Sequence, residues 1–334
     1  MTNLLNFLVI DLGSSAIRFE LYQGPSNNTL NNLNKDLSFL SKPRSIFYRR
    51  FRARLADGFY QDNIIKKESL DRVIGYLQSA KKDLLEEGFR IDQVAAVTTS
   101  VLRDAINQSE VIEEIKIGTG FEFKVLSGQE EAELISVGVL ANQESFKDFD
   151  FKKSFFIIDI GGGSTEIIFI QDEKVKSLVS LDLGSLRAVE NFGTPPLSQK
   201  MVSDMESLLS SQIGIKVKEL GLTEVCSDSA FNQALGSSGA IRTISKIFSK
   251  ESPDGSPEEE PFSLTKIDLI IDSLIGRSSD EIMSITAVDQ KKADGILHSA
   301  VILRSLVKAF KLGKIHPSKY SLRHGIIASK IKPL

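Results

Sequence analysis

Residues 158–166 read IDIGGGSTE, and a related stretch, IDLGSS, occupies residues 10–15. An apolar run precedes each stretch and a second apolar segment follows it, which is the pattern of a β-hairpin with a turn of small residues. The aspartates of the two turns, Asp11 and Asp159, are 148 residues apart, so we interpret the pattern as an internal repeat. We therefore expect two domains of similar fold, each beginning with a hairpin whose turn carries one aspartate.

Segments typical of strands and of helices alternate along the rest of the chain. The apolar spacing predicts helices over 66–87, 103–117 and 129–140, and short apolar runs predict strands over 94–98 and 121–126. This alternation indicates an α/β fold in which helices cover the faces of the sheets.

Composition excludes several classes of protein. A chain of 334 residues with 41% hydrophobic and 25% charged residues is typical of a folded protein with about two domains. The net charge of −3 argues against a nucleic-acid partner bound by general phosphate neutralisation. The single cysteine, Cys226, excludes an intrachain disulfide and fits a reducing compartment. Because residues 1–10 lack the features of a signal peptide and no apolar run approaches the length of a membrane helix, we expect a cytoplasmic protein without a membrane partner.

The turn after Asp159 has the residues of an anion site. Three consecutive glycines leave the backbone amides bare, and successive amides form a concave site for an anion. Glycine also permits the positive φ angles that such a site needs. A carboxylate repels a phosphate unless a divalent cation or water lies between them, and Mg²⁺ prefers carboxylate and phosphate oxygens. The alternative is a tight hairpin turn in which Asp159 bonds its own backbone. A second copy of the turn and a third Gly/Ser turn at residues 236–239 favour a phosphate site.

Three charged residues are candidates for chemistry. Arg103 follows a predicted strand, where the start of a helix presents amides and hydroxyls to an anion, and its guanidinium can bind a phosphate in a bidentate manner. Glu130 and Glu131 follow Ser127, and a carboxylate at the rim of a phosphate site can act as a general base toward water. The residues alone favour structural alternatives, namely a surface ion pair for Arg103 and glutamates that complement a helix dipole.

At these positions the sequence resembles the Ppx/GppA family, the exopolyphosphatases and guanosine pentaphosphate phosphohydrolases, in its short two-domain form. The segments that carry the resemblance are 9–15, 53–58, 98–107, 126–132, 158–166, 236–241 and 321–325. These segments follow one another in the same order as the family's motifs, which makes the resemblance far more specific than any single motif would. It implies two ribonuclease H-like domains of the actin-like ATPase superfamily with an interdomain cleft. Domain I would be residues 1–127 with a C-terminal return over 313–334, and domain II would be residues 128–312.

The resemblance also implies a role for each matching residue. Glu131 would activate the attacking water, and Arg103 would contact the substrate phosphates. Asp11, Asp159 and Glu166 would hold Mg²⁺. Three turns would cradle the substrate phosphates, and their residues are Gly13, Ser14 and Ser15, then Gly161, Gly162, Gly163, Ser164 and Thr165, then Gly236, Ser237, Ser238 and Gly239.

The implied activity is hydrolysis of the terminal phosphoanhydride of inorganic polyphosphate, with guanosine pentaphosphate as the alternative substrate. A kinase of the same superfamily and a non-catalytic alarmone-binding protein fit the motifs less well. The sequence does not decide whether the protein forms a homodimer. Four positions depart from the family pattern: Ser15 replaces asparagine, Thr98 alanine, Ala240 threonine and His324 glutamate. Of these, Ser15 and Ala240 are the ones expected to alter substrate contacts.

Overall fold

The computed structural model describes residues 4–25, 44–146, 148–219, 221, 233–249, 259–286, 288 and 290–331. Cys226 lies outside the described residues.

Strands and helices alternate along the described chain, as the sequence predicts. The elements up to residue 147 are β1 (Leu4–Leu12), β2 (Ile17–Pro25), β3 (Arg44–Phe51), α1 (Lys67–Glu86), β4 (Gln93–Thr98), α2 (Ser100–Asp104), α3 (Gln108–Thr119), β5 (Phe123–Val125) and α4 (Gly128–Leu140), followed by a 3₁₀ turn (Gln143–Ser145). The later elements are β6 (Phe155–Ile160), β7 (Thr165–Gln171), β8 (Lys174–Leu181), α5 (Ser185–Phe192), α6 (Gln199–Glu219), β9 (Gln233–Gly236), α7 (Gly239–Lys246), α8 (Leu264–Leu274), α9 (Ser279–Thr286), α10 (Gln290–Ala309), β10 (Lys314–Pro317) and α11 (Leu322–Ile331).

The chain forms two compact units. The first half comprises Met1–Lys147 and Tyr320–Leu334, and the second half comprises Asp148–Lys319. Helix α4 with the 3₁₀ turn after it, and strand β10, lie on the other side of the division expected from the sequence. Helix α4 belongs to the first half because it packs along α11, and β10 belongs to the second half because it pairs with β9.

Each half contains one five-stranded sheet, and the two sheets have the same strand order. The first is ordered β3-β2-β1-β4-β5, and the second, taken from its other edge, is ordered β8-β7-β6-β9-β10. In both, the first three strands of the half are antiparallel neighbours and the last two are parallel additions. This repeated mixed sheet is the ribonuclease H-like order, so the expected α/β fold and the internal repeat are confirmed.

Apolar stripes attach the helices to the sheets. Helix α1 buries Leu70, Val73, Leu77, Ala80 and Leu84, which recur every three or four residues and lie on one side of the helix. In the second half, α6, α8 and α10 bury a similar set around β6, whose residues 155–158 are fully buried. No helix in the described ranges is both long enough and apolar enough to cross a membrane.

Candidate active site

The first phosphate-type turn joins β1 to β2, and a neighbouring segment holds its carbonyl groups. The amide of Arg54 donates to the carbonyl of Ser15, and the amide of Ala56 donates to that of Ser14, both at 3.1 Å. The carbonyl oxygens are therefore already bonded within the protein. Among the described residues, the amides of Ser14 and Ser15 have no acceptor.

The second turn joins β6 to β7, and the start of α5 holds its carbonyl groups in the same way. The amide of Ser185 donates to the carbonyl of Gly161 at 3.0 Å, and that of Leu186 donates to Gly162 at 2.8 Å. This approach requires glycine at position 184, because a Cβ there would lie 2.3 Å from the carbonyl oxygen of Gly162.

Both turns thus present amides rather than carbonyls. In the second turn the amides of Gly162 and Gly163 have no acceptor within the described parts of the chain. Amides without an acceptor in the protein are suited to bind an anion. The expected use of positive φ is wrong for Gly161, which does not lie in the left-handed region. At Gly161 a Cβ would crowd the carbonyl of Ser164 across the turn at 3.1 Å, so close approach explains the glycine there.

Two carboxylates face each other beside the second turn. Asp159 and Glu166 are direct partners in the antiparallel register of β6 and β7, and Glu166 is only 1% exposed. Serine hydroxyls donate to both, Ser237 to Oδ2 of Asp159 at 2.5 Å and Ser180 to Oε1 of Glu166 at 2.8 Å. Two carboxylates side by side supply the oxygen ligands that a divalent cation such as Mg²⁺ prefers.

The oxygen donors of Asp159 and Glu166 fit Mg²⁺. Within the described ranges, no group of three or more His, Cys, Asp or Glu side chains could hold a metal ion. The protein would thus contribute two carboxylates, and water and phosphate oxygens would complete the coordination. This is the usual way in which Mg²⁺ binds at phosphate-transfer sites.

Asp11 has a different environment. It is 5% exposed, and its Oδ2 accepts a 2.8 Å hydrogen bond from Nη1 of Arg18 in an ion pair. The carboxylate that the sequence assigned to metal is therefore already paired with a cation of the chain.

The third Gly/Ser turn lies next to the second turn because β9 pairs in parallel with β6, which places Gly236 opposite Ile158. Ser238 caps helix α7 by accepting a 3.1 Å hydrogen bond from the amide of Ile241. Because the side chain of Ser237 is bonded to Asp159, this turn supports the second turn from the side. Its expected contact with phosphate stays a prediction.

The helical phase of α4 separates the two adjacent glutamates. Glu130 completes a capping box with Ser127 and points toward solvent, where the Lys124 ammonium, 2.6 Å away, lowers the pKa of Glu130 to about 2. Glu131 lies on the buried side of the helix and is only 7% exposed. The structure therefore leaves Glu131 as the candidate general base.

Arg103 holds Glu131 in place. Its Nη1 donates to Oε2 of Glu131 at 3.2 Å and to the carbonyl of Leu126 at 3.0 Å. The surface ion pair favoured by the residues alone is therefore wrong, since the side chain of Arg103 is 22% exposed and that of Glu131 10% exposed.

Helix α2, which carries Arg103, is also joined to the first turn. The hydroxyls of Ser14 and Ser100 lie 3.0 Å apart, and Oγ1 of Thr98 donates to the carbonyl of Leu12 at 2.9 Å. The threonine that replaces the family's alanine thus makes a buried contact with the chain just before this turn. Within the first half, helix α2 therefore contacts the first turn through Ser100 and Glu131 through Arg103.

Sequence reasoning missed Arg18, Gly184 and Ser180. The spacing in the repeat could have revealed Arg18, because it lies seven residues after Asp11, as Glu166 lies seven residues after Asp159. Gly184 and Ser180 become visible only when β8 and α5 are placed beside the second turn.

The chain is similar in sequence and in fold to several known proteins. A Haemophilus influenzae protein provisionally named an exopolyphosphatase is 24% identical over 329 residues, which cover 98% of this chain and 92% of that protein. The crystal structure of an exopolyphosphatase from Cytophaga hutchinsonii superposes with a TM-score of 0.78 at 20% identity, covering 98% of this chain and 97% of that one. The crystal structure of the Aquifex aeolicus member of the Ppx/GppA family has a TM-score of 0.70 at 21% identity, with 98% of each chain covered. The sequence model of the Ppx/GppA phosphatase family matches residues 36–333. The chain therefore belongs to the Ppx/GppA phosphatase family.

Proposed function

We propose that this protein is an exopolyphosphatase, which hydrolyses the terminal phosphoanhydride bond of inorganic polyphosphate and releases orthophosphate. The observation that carries the proposal is the buried carboxylate of Glu131, which Arg103 holds in place. The helix that carries Arg103 also contacts, through Ser100 and Ser14, a turn that presents backbone amides. The names of the similar proteins support the choice of substrate.

In this proposal the amides of the two turns bind non-bridging phosphate oxygens. Asp159 and Glu166 hold Mg²⁺, which neutralises phosphate charge when it is bound. Positioning and electrostatic stabilisation of this kind supply most of the catalysis in phosphoryl transfer.

Glu131 acts on the attacking water. The water oxygen forms a bond to the terminal phosphorus, and Glu131 accepts the proton that the water loses. The bond from phosphorus to the bridging oxygen breaks, and the shortened polyphosphate leaves with the electron pair. Arg103 keeps the Glu131 carboxylate at a fixed place during this step, because it bonds both that carboxylate and the backbone of residue 126.

The proposal is tested by incubating the purified chain with Mg²⁺ and long-chain polyphosphate and measuring orthophosphate. We expect Glu131→Gln to lower kcat by roughly 10²- to 10⁴-fold, because it removes the general base. Glu130→Gln is the matched control, since Glu130 is an exposed capping residue of the same helix. Its kcat should stay within about threefold of the wild type.

Guanosine pentaphosphate and ATP are separate arms of the same assay. If orthophosphate is released from guanosine pentaphosphate but not from polyphosphate, guanosine pentaphosphate is the substrate. Transfer to an added acceptor, without release, would indicate a kinase. A Glu131→Gln variant as active as the wild type would refute the assignment of the base.

We also propose a cytoplasmic location and no nucleic-acid partner. The single cysteine of the sequence and the net charge of −3 support these two proposals. The homodimer stays a prediction.

A further inference from the structure

The two hairpin turns of the repeat differ in one charge at an equivalent position. In the β1–β2 hairpin Asp11 is the direct partner of Arg18, and in the β6–β7 hairpin Asp159 is the direct partner of Glu166. Both partners lie seven residues after their aspartate. The first half therefore has a guanidinium where the second half has a carboxylate.

The contacts of Arg18 show what this difference does. Its guanidinium lies 2.8 Å from Oδ2 of Asp11, whose side chain is only 8% exposed, while the side chain of Arg18 is 29% exposed. An arginine stays protonated in proteins, so it is a permanent positive charge at this carboxylate. A divalent ion at Asp11 would have to displace this charge or lie beside it.

We propose that Arg18 is the resident cation of the first turn and takes the place that a divalent ion takes between Asp159 and Glu166. Asp11 is then not a metal ligand, and each chain binds one divalent ion, in its second half. The inference rests on the proposed function only in taking Asp159 and Glu166 as the metal-binding carboxylates.

The test counts metal ions without substrate or turnover. Mn²⁺ is titrated into the full chain and followed by electron paramagnetic resonance, with Mg²⁺ as competitor. We expect one competable Mn²⁺ per wild-type chain. Asp159→Asn should weaken its binding at least tenfold, whereas Asp11→Asn should leave the dissociation constant within about twofold.

Arg18→Glu provides a gain-of-function variant. It gives the first turn the pair of carboxylates that the second turn has, so we expect a second Mn²⁺ per chain. Arg18→Lys is the matched control, because it keeps the positive charge and should keep one ion. Far-UV circular dichroism checks that each variant is folded.

Three results would overturn the proposal. They are a wild-type chain that binds no Mn²⁺ or binds two, an Asp11→Asn variant that loses Mn²⁺ as Asp159→Asn does, and a folded Arg18→Glu variant that still binds one ion. If Arg18→Glu does not fold, Asp11→Asn decides alone. Failure of the proposed function is a separate result, because it is the absence of orthophosphate release from any substrate by a chain with the expected metal count.

Discussion

The ion pair between Arg323 and Glu20 should be the largest single electrostatic contribution to the stability of the first half. Arg323 lies in the first turn of α11 and Glu20 lies on β2, 303 residues away in sequence, and their side chains are only 13% and 11% exposed. Gly325, in the same turn of α11, lies against the backbone of α4, since a Cβ there would lie 1.7 Å from the carbonyl oxygen of Leu134. The pair therefore fixes the helix against which the Glu131-bearing helix packs.

The expected magnitude follows from burial. Removing one partner of a buried pair leaves an uncompensated charge and costs about 3–5 kcal/mol, whereas replacing both by apolar residues is often close to neutral. We therefore expect Arg323→Met and Glu20→Leu each to lower the free energy of unfolding by about 3–5 kcal/mol. The double variant should lose less than either single variant.

The assay is urea denaturation followed by far-UV circular dichroism, because the chain has no tryptophan. Lys82→Met is the control: the Lys82–Glu86 pair in the same half is 3.7 Å long and has side chains 73% and 65% exposed. Its removal should cost less than about 0.5 kcal/mol. Additive losses in the Arg323/Glu20 double variant, or a loss below about 1 kcal/mol in both single variants, would refute this reasoning.

Three further predictions concern single positions. Gly184→Ala should lower orthophosphate release by at least about 100-fold in a folded chain, because its Cβ would displace the carbonyl of Gly162, whereas Gly214→Ala, with open space around it, should have no effect on release. His324 accepts a 3.2 Å hydrogen bond at Nδ1 from the residue that precedes α11 and so replaces the glutamate of a capping box. His324→Ala should therefore cost about 1 kcal/mol of stability in urea denaturation, and His324→Glu should cost less than about half of that. Burial lowers the pKa of His298 to about 4, so its contribution to stability is complete above pH 6.5 and is lost as the pH falls to about 4, by about 3 kcal/mol. His298→Gln should flatten the dependence of unfolding free energy on pH in this window, and an unchanged slope would contradict the assignment.

The sequence predicted the elements whose signals are local. Both hairpins follow from short apolar runs joined by turns of small residues, and the helix over 129–140 follows from its apolar spacing. The sequence did not predict β8 or α9. The first three residues of β8 are exposed and its apolar residues do not alternate strictly, while α9 is only eight residues long, so neither shows a clear period.

A non-local contact explains the largest difference in a helix. The pattern predicted one helix over 103–117, but α2 ends at Asp104 and α3 begins at Gln108. The side chain of Asn107 in the gap bonds both backbone groups of Ile65 at 3.0 Å. Because its partner lies 42 residues away, no local pattern could reveal this break.

The candidate site shows the same limit. Helical phase, which the sequence contains, is enough to place Glu130 and Glu131 on different sides of α4. The sequence does not show which residue each glutamate contacts. Lys124 and Arg103 reach the two glutamates because β5 and α2 pack beside the helix.

The charges of the two turns also explain how an aspartate can precede an anion site. The sequence poses the difficulty, since Asp11 and Asp159 would each repel a phosphate bound to the neighbouring amides. In the first turn Arg18 cancels the charge of Asp11 by a direct ion pair. In the second turn the proposed divalent cation would offset the charge of Asp159 and Glu166, which are direct partners in the hairpin. With the carboxylates offset in either way, the turn amides would determine the sign of the local field. Both halves would thus use turn amides to bind phosphate. Phosphate binding would depend on a metal ion only in the second half.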